Sequence, residues 1–307
     1  MTSLAGKKSL NRIFRRHWQL YMMMIPGFIY LIVYRYGPIL GLSLAFQNYK
    51  ITRSLFSSPF VGLKNFESLF KLPTFGMIFR NTIVISLMKI AFAFPVPIVM
   101  ALMLNDLRRV RYKRILQTAY YLPHFISWIV LGNVVYALIA PNSGAFSRLY
   151  IRLSGASELN VMTNKAAFRW LLVVTDIWKE AGWGSIIYLA ALSGIDSELY
   201  EAAQVDGANR GQQMRFITLP MLLPTIMTML LLRVGRIMEA GFDQIWVLQN
   251  DLVYDVSEIL STFIYKVSFL QNQPAKGAAA DLLSAVIGLV LVVTTNKIAE
   301  RFDQEVI

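Results

Sequence analysis

The sequence predicts an all-α membrane protein: one domain of six transmembrane helices, with both termini on the cytoplasmic side. Three observations carry this. The chain has 307 residues, of which 56% are hydrophobic, and a mean hydropathy of +0.50, beyond the usual range of a soluble domain. Apolar runs of about 20 residues recur, the length that crosses a hydrocarbon core of ~30 Å. Basic residues also concentrate in connections on one side of the predicted membrane, as the positive-inside rule requires. The net charge of +12 is spread over several loops and reads as topology, so no nucleic-acid partner is expected. There are no cysteines, so disulfides and thiolate metal sites are excluded and the redox compartment stays unread.

Residues 1–19 carry Lys7, Lys8, Arg12, Arg15 and Arg16 without an acid and read as a basic cytoplasmic tail touching anionic lipid. The apolar run that follows is too long for a signal-peptide core, and no small-residue cleavage site stands out. The first span is placed at 20–46. In the external loop 47–73, Leu63, Phe66, Leu69 and Phe70 fall at helical spacing and predict a short interfacial helix. The second span, 75–104, is interrupted by Pro95 and Pro97, breaks that membrane helices tolerate when neighbours satisfy the freed carbonyls. Arg108, Arg109, Arg111, Lys113 and Arg114 against Asp106 mark the next loop as cytoplasmic. The third span is 115–140, with Pro123 near its start, and an external loop with Pro-Asn-Ser-Gly turn chemistry begins at Pro141. The fourth, fifth and sixth spans are placed at 167–192, 219–248 and 277–298. The membrane domain is thus 20–298, followed by a cytoplasmic tail at 299–307.

The most informative stretch is the polar island at 196–219, between the fourth and fifth spans. Asp196 or Ser197 can cap a short helix, and Glu198 suits its positive end. Gly207 can end that helix in a left-handed conformation. A turn at 209–211 and a second helical piece near 212–216 are expected, with Pro220 opening the next helix. Ala202, Ala203, Gly207 and Ala208 keep the surface small enough for another protein's backbone to approach, while Glu201 and Asp206 supply fixed charge.

This stretch resembles the EAA loop of the permease subunits of binding-protein-dependent ABC importers. The matching residues are Glu201, Ala202, Ala203, Asp206, Gly207, Ala208, Phe216, Leu219 and Pro220, with the spacing preserved. The resemblance implies a cytoplasmic coupling helix seated in a groove of an ATPase subunit. It extends along the chain through Ile177-Trp178-Lys179, Gly182-Trp183, Gly241 to Ile245, Tyr265 and Gly277 to Ala280. These look like the carbohydrate branch of the family, and within it the oligosaccharide- and polysaccharide-related subgroup. One departure is Asn250 to Tyr254, standing where many sugar permeases carry Gly-Gly-Pro. The implied function is the transmembrane subunit of an ATP-driven bacterial sugar importer in the cytoplasmic membrane. The implied partners are ABC ATPase subunits, a second permease homologous to this one, an extracytoplasmic substrate-binding protein, lipid and a saccharide.

No G-x-x-x-x-G-K-[ST] sequence occurs, so ATP and magnesium are expected on the partner ATPase and no cofactor on this chain. His17 and His124 are far apart, and neither a metal site nor a catalytic residue is expected. Charges inside the apolar runs are the other signal, because each costs several kcal/mol in lipid unless it meets water or a partner, by rough estimate. Lys89, Asp176, Lys179, Glu180, Arg233, Arg236, Glu239 and Asp243 are therefore expected to face the bundle interior. Two readings stand: pairing of Asp176 with Lys179 and Arg236 with Glu239, at three-residue spacing, or direct contact with substrate. Trp178 and Trp183 join the substrate-path residues as rings able to stack on sugars, although membrane-interface belts use the same residues. Two other functions fit part of this pattern. An ion-coupled carrier would use the intramembrane charges as a relay, and a membrane-embedded enzyme would use Asp176 and Glu180 as an acid pair. Neither explains the 196–219 pattern.

Overall fold

The computed structural model describes residues 3–50, 57–107, 109–141, 143–155 and 159–300, with the side chains of 3–15 and 298–300 excepted. Arg108, the side chains of Lys7, Lys8, Arg12 and Arg15, and the tail from 301 lie outside the described residues. Among the described residues the fold is helical, and the only β-pairing is an isolated antiparallel bridge between Gln47 and Phe60.

Helix α1, Ser3–Leu31, continues through a π-turn and a 3-10 stretch to Phe46. Helix α2, Lys64–Phe70, is the short helix expected in the first external loop. It buries Leu69, and its Asn65 amide donates to the carbonyls of Ala45 and Gln47, each at 2.9 Å. Helices α3, Phe75–Met88, and α4, Pro95–Asn105, form one 31-residue apolar rod. The prolines do not break it. A π-turn at Lys89–Ala93, closed by Phe94 N–H donating to Lys89 O at 3.0 Å, accommodates the donor missing at Pro95.

The third span differs from the single helix expected. Helix α5, Val110–Tyr121, runs through a 3-10 turn to Phe125, and α6, Trp128–Ile139, leaves at 104° to it. Pro123 lies in the turn, Ile126 is extended, and Ser127 starts the new helix by accepting a bond from Val130 N–H at 3.3 Å. Helix α7, Ala145–Ser154, follows, then the 29-residue α8, Lys165–Ser193, capped by Asn164. At ~1.5 Å per residue α8 is about 44 Å long.

The polar island holds α9, Ser197–Val205, and α10, Arg210–Gln213. Instead of a fresh start at Pro220, α10 runs on through a π-turn at Met214–Thr218 into α11, Leu219–Gly235, as one 26-residue rod. The π-turn is closed by Leu219 N–H donating to Met214 O, the same use of a π-turn next to a proline as at Pro95.

The fifth span also departs from the continuous helix expected to residue 248. It ends at Gly235, and α12, Phe242–Leu248, starts after a turn in which Ala240 (φ 49°) and Gly241 (φ 93°) are left-handed. Helices α13, Tyr254–Ser257, and α14, Leu260–Tyr265, lead to α15, Pro274–Glu300.

Among the described residues, four helices are long and apolar enough to cross a membrane, and five if the α5–α6 pair is one span. Helix α8 is long enough but carries Lys165, Arg169, Asp176, Lys179 and Glu180. It is nevertheless the centre of the bundle. Its Phe168 and Leu172 pack with Ile85, Leu131 and Ile245, and its Tyr188 and Leu192 with Ala101 and Leu222. Where lipid is as apolar as the helices, close backbone approach replaces hydrophobic drive. A Cβ at Gly182 would lie 2.0 Å from Tyr120 O, and one at Gly277 1.7 Å from Ser268 Oγ.

Candidate functional site

The chain concentrates its polar chemistry in two places, a cavity inside the bundle and the 196–220 surface.

The cavity holds about 750 Å³ between α4, α8 and α11. Phe94, just before α4, and Pro97 within it line the cavity on one side, Asp176, Glu180, Trp183 and Tyr188 line it from α8, and Met229, Leu232 and Arg233 from α11, with Arg236 at the end of that helix. A smaller recess of about 160 Å³ shares Asp176, Arg233 and Arg236 with it and adds Ser86, Lys89, Glu239 and Gly241.

Lys89 is 2% exposed. The π-turn after Met88 sets it facing α8 and the turn at 236–241. Its ammonium meets Asp176 Oδ1 at 3.1 Å, Ala240 O at 3.0 Å and Gln244 Oε1 at 2.5 Å, so its three donors are all committed. Gly241 leaves room for it, since a Cβ there would lie 2.5 Å from Lys89 Nζ. The other oxygen of Asp176 meets Arg233 at 3.2 Å. Gln244, fully buried, donates its amide to Leu172 O at 2.7 Å and Thr175 Oγ1 at 2.6 Å. Ser86 donates to Ile237 O at 2.5 Å. One network thus joins α3, α8, α11 and α12 across the break in the fifth span. A buried carboxylate between two cations, with each oxygen engaged, is the arrangement that offsets desolvation.

The pairing differs from the two pairs read at three-residue spacing. Asp176 binds Lys89 and Arg233, not Lys179. Lys179 instead donates to His124 O at 2.6 Å and Ile126 O at 2.7 Å, the carbonyls freed at the bend between α5 and α6. Glu180 lies 2.9 Å from His124 Nδ1, and the His124 ring stacks on Trp183 at 4.6 Å and 2°. Arg236 and Glu239 form no ion pair with each other, because α11 ends at Gly235, before both, and in the turn that follows their side chains do not share a helical face. Both are exposed, as is Asp243 in the first turn of α12. Trp178 is 43% exposed and lies off the cavity lining. Sequence reasoning missed Gln244 and Thr175, uncharged residues with no periodic signature, and left His124 without a role. Among the described residues no cluster of His, Asp or Glu is arranged to hold a metal.

In the second place, Asp196 caps α9 by accepting from Glu198 N–H at 3.0 Å. Gly207 takes φ +81° and closes the helix: its N–H donates to Gln204 O at 3.0 Å, and Ala208 N–H to Ala203 O at 2.8 Å. Asn209 and Gln212 form a reciprocal capping box for α10. Tyr200 Oη lies 3.0 Å from Thr218 Oγ1, tying α9 to the base of α11. Glu201, Ala202, Asp206, Gly207, Leu219 and Pro220 are exposed, Ala203 and Ala208 partly so, and Val205 is 88% exposed.

A family model described as "Binding-protein-dependent transport system inner membrane component" matches residues 93–307. The polygalacturonan/rhamnogalacturonan transport system permease protein YteP of Bacillus subtilis (strain 168) is 38% identical over 97% of this chain and 92% of that one. A crystal structure of a bacterial ABC transporter involved in the import of the acidic polysaccharide alginate has a TM-score of 0.87 at 34% identity, covering 95% of this chain and 99% of that one. A second, of bacterial alginate ABC transporter in complex with alginate pentasaccharide-bound periplasmic protein, has a TM-score of 0.87 at 35% identity, covering 95% and 97%.

Proposed function

The chain belongs to the family of binding-protein-dependent transport system inner membrane components, and from that premise we propose that it is the permease subunit of an ATP-driven importer whose cargo is an acidic oligosaccharide. It carries no P-loop, so the nucleotide, with its magnesium, is bound and hydrolysed by ATPase subunits. A second permease completes the pathway, and an extracytoplasmic binding protein delivers the cargo.

The observation that carries the cargo assignment is the charge of the cavity wall. Asp176 is held between Lys89 and Arg233, and Glu180 is engaged by His124. Arg236 has no ion partner among the described residues, and Arg233 shares the Asp176 carboxylate with Lys89. The wall therefore presents one guanidinium, that of Arg236, without an internal partner, and a second, that of Arg233, with donors left over from its single contact. Guanidinium binds a sugar carboxylate in a planar, two-point fashion, and Trp183, backed by the stacked His124 ring, offers an apolar face to a pyranose. Polygalacturonan and alginate, the saccharides in the names of the similar proteins, are consistent with this.

Coupling runs through the 196–220 surface. Closure of the ATPases displaces α9, and α9 moves α11 through the Tyr200–Thr218 contact and the rod that begins at Arg210. The cavity then opens to alternate sides. The test is uptake by proteoliposomes holding this chain, its second permease, the ATPases and the binding protein. ATP-driven uptake of galacturonate oligomers, with neutral oligomers of equal length excluded, is the expected result. Equal uptake of both overturns the acidic cargo, and uptake driven by an ion gradient without ATP overturns the importer.

A further inference from the structure

Helix α7, Ala145–Ser154, presents three separate faces. Ser147 is fully buried and Ile151 half-buried, on the side turned to the bundle. Phe146, Leu149, Tyr150 and Leu153, at the spacing of one helical stripe, are 45–78% exposed. Arg148 and Arg152 lie one turn apart on the third side, both exposed, and the helix carries no acid.

Its position is fixed by Gly144. That residue's N–H donates to Ala140 O at 2.9 Å, and a Cβ on it would lie 2.5 Å from Leu138 O and 2.7 Å from Ala140 N. Only glycine lets α7 begin hard against the end of α6. The helix therefore starts six residues past the end of the α5–α6 pair, which the span assignment puts at the boundary of the membrane. A short helix at that depth, with an apolar stripe on one side, arginines on another and little overall hydrophobicity, has the composition that settles in the plane of a lipid–water interface. Arginine stems reach along the apolar layer and place their guanidinium groups at phosphate level.

We propose that α7 lies in the plane of the membrane surface, with Phe146, Leu149, Tyr150 and Leu153 in the acyl chains and Arg148 and Arg152 on anionic lipid headgroups. The inference rests on the membrane assignment but not on the cargo. It gives the bent third span an anchor: the α5–α6 pair is held at its bend by Lys179 and at its far end by lipid.

The chain has no cysteine, so single probes can be placed without a background. The experiment uses the assembled transporter in vesicles of phosphatidylethanolamine and phosphatidylglycerol with brominated acyl chains. A bimane label is placed in turn at Leu149→Cys, Leu153→Cys, Arg148→Cys, Arg152→Cys and, as a control in α15, Leu289→Cys. Leu289 is 64% exposed, lies off the cavity lining and is read as lipid-facing. The expected result is strong quenching at 149 and 153, comparable to the control, and quenching near background at 148 and 152. Removing phosphatidylglycerol should reduce the quenching at 149, and R148Q/R152Q should abolish that dependence. Quenching at the control alone overturns the proposal and means that water or another subunit covers the stripe. Quenching at 149 that is indifferent to phosphatidylglycerol overturns the headgroup contact. No quenching at the control either overturns the membrane assignment, and this inference with it.

Discussion

The 196–220 surface and the Lys89–Asp176–Arg233 network are both polar and both sit among apolar helices, yet they are built in opposite ways. The surface is assembled from neighbours in sequence: an Asp196 cap, a Gly207 terminator, an Asn209–Gln212 box. Its charged groups, Glu201 and Asp206, point outward. The network is assembled from residues up to 155 positions apart, and its charges point at one another. A polar group left open at a surface is available to a partner subunit. A polar group closed inside a bundle, as Lys89 and Asp176 are, holds helices in register and has little left to offer a ligand, whereas Arg233, with its side chain 40% exposed, still reaches the cavity. The difference separates residues that would transmit force from residues that would fix the frame, and the following experiments set the two against each other.

The largest effect is expected at Asp176. Asp176→Asn removes the one carboxylate between Lys89 and Arg233 and leaves the buried Lys89 ammonium uncompensated, a loss of about 3–5 kcal/mol. Thermal stability of the detergent-extracted transporter should collapse, and the double variant K89M/D176L should recover a large part of it. Single and double variants of equal stability would dissolve the distinction between frame and surface.

Glu201→Ala should act in the reverse sense. Glu201 is exposed in this chain, so the fold should be untouched. If it meets a basic group of an ATPase, loss of that buried interfacial pair costs about 2–5 kcal/mol. Stability of the isolated chain should match wild type, while ATPase co-purification or the coupling of hydrolysis to uptake falls. Wild-type uptake and stimulated ATPase activity in E201A would remove it from the coupling surface.

The two arginines at the cavity should part company. Arg236→Gln removes a donor with no internal ion partner, so half-saturation for acidic oligomers should rise by the worth of a charged hydrogen bond, about 1.5–3 kcal/mol or roughly ten- to a hundredfold, with assembly unchanged. Arg233→Gln should change transport and stability together, because it also releases Asp176. Identical behaviour of the two variants would show that the ion pair to Asp176 has no bearing on their roles.

The smallest effect is expected where the two regions meet. Tyr200→Phe deletes the hydroxyl contact to Thr218, worth about 1 kcal/mol. Amide hydrogen exchange in α9 should quicken by about fivefold, with the core of α8 unaffected. Equal acceleration in both would mean that α9 and the bundle open as one unit.

The sequence alone determined the helical membrane class, the EAA-like pattern at 201–220 and both ends of α9. Those depend on apolar length, on a capping side chain and on a glycine able to take φ > 0, and each is a property of a few adjacent residues. It also singled out the intramembrane charges, because the cost of an ion in hydrocarbon is independent of the fold. Tertiary structure alone decided which charges meet. At three-residue spacing Asp176 pairs with Lys179 and Arg236 with Glu239, but that holds only while the helix continues and no better partner approaches. The bend after Phe125 exposes two carbonyls that take Lys179, the end of α11 at Gly235 leaves both Arg236 and Glu239 in a turn with no common helical face, and Gly241 opens the space in which Lys89 reaches Asp176 and Gln244. A buried charge takes the partner that packing brings nearest in three dimensions, and that distance is set by helices far apart in the chain.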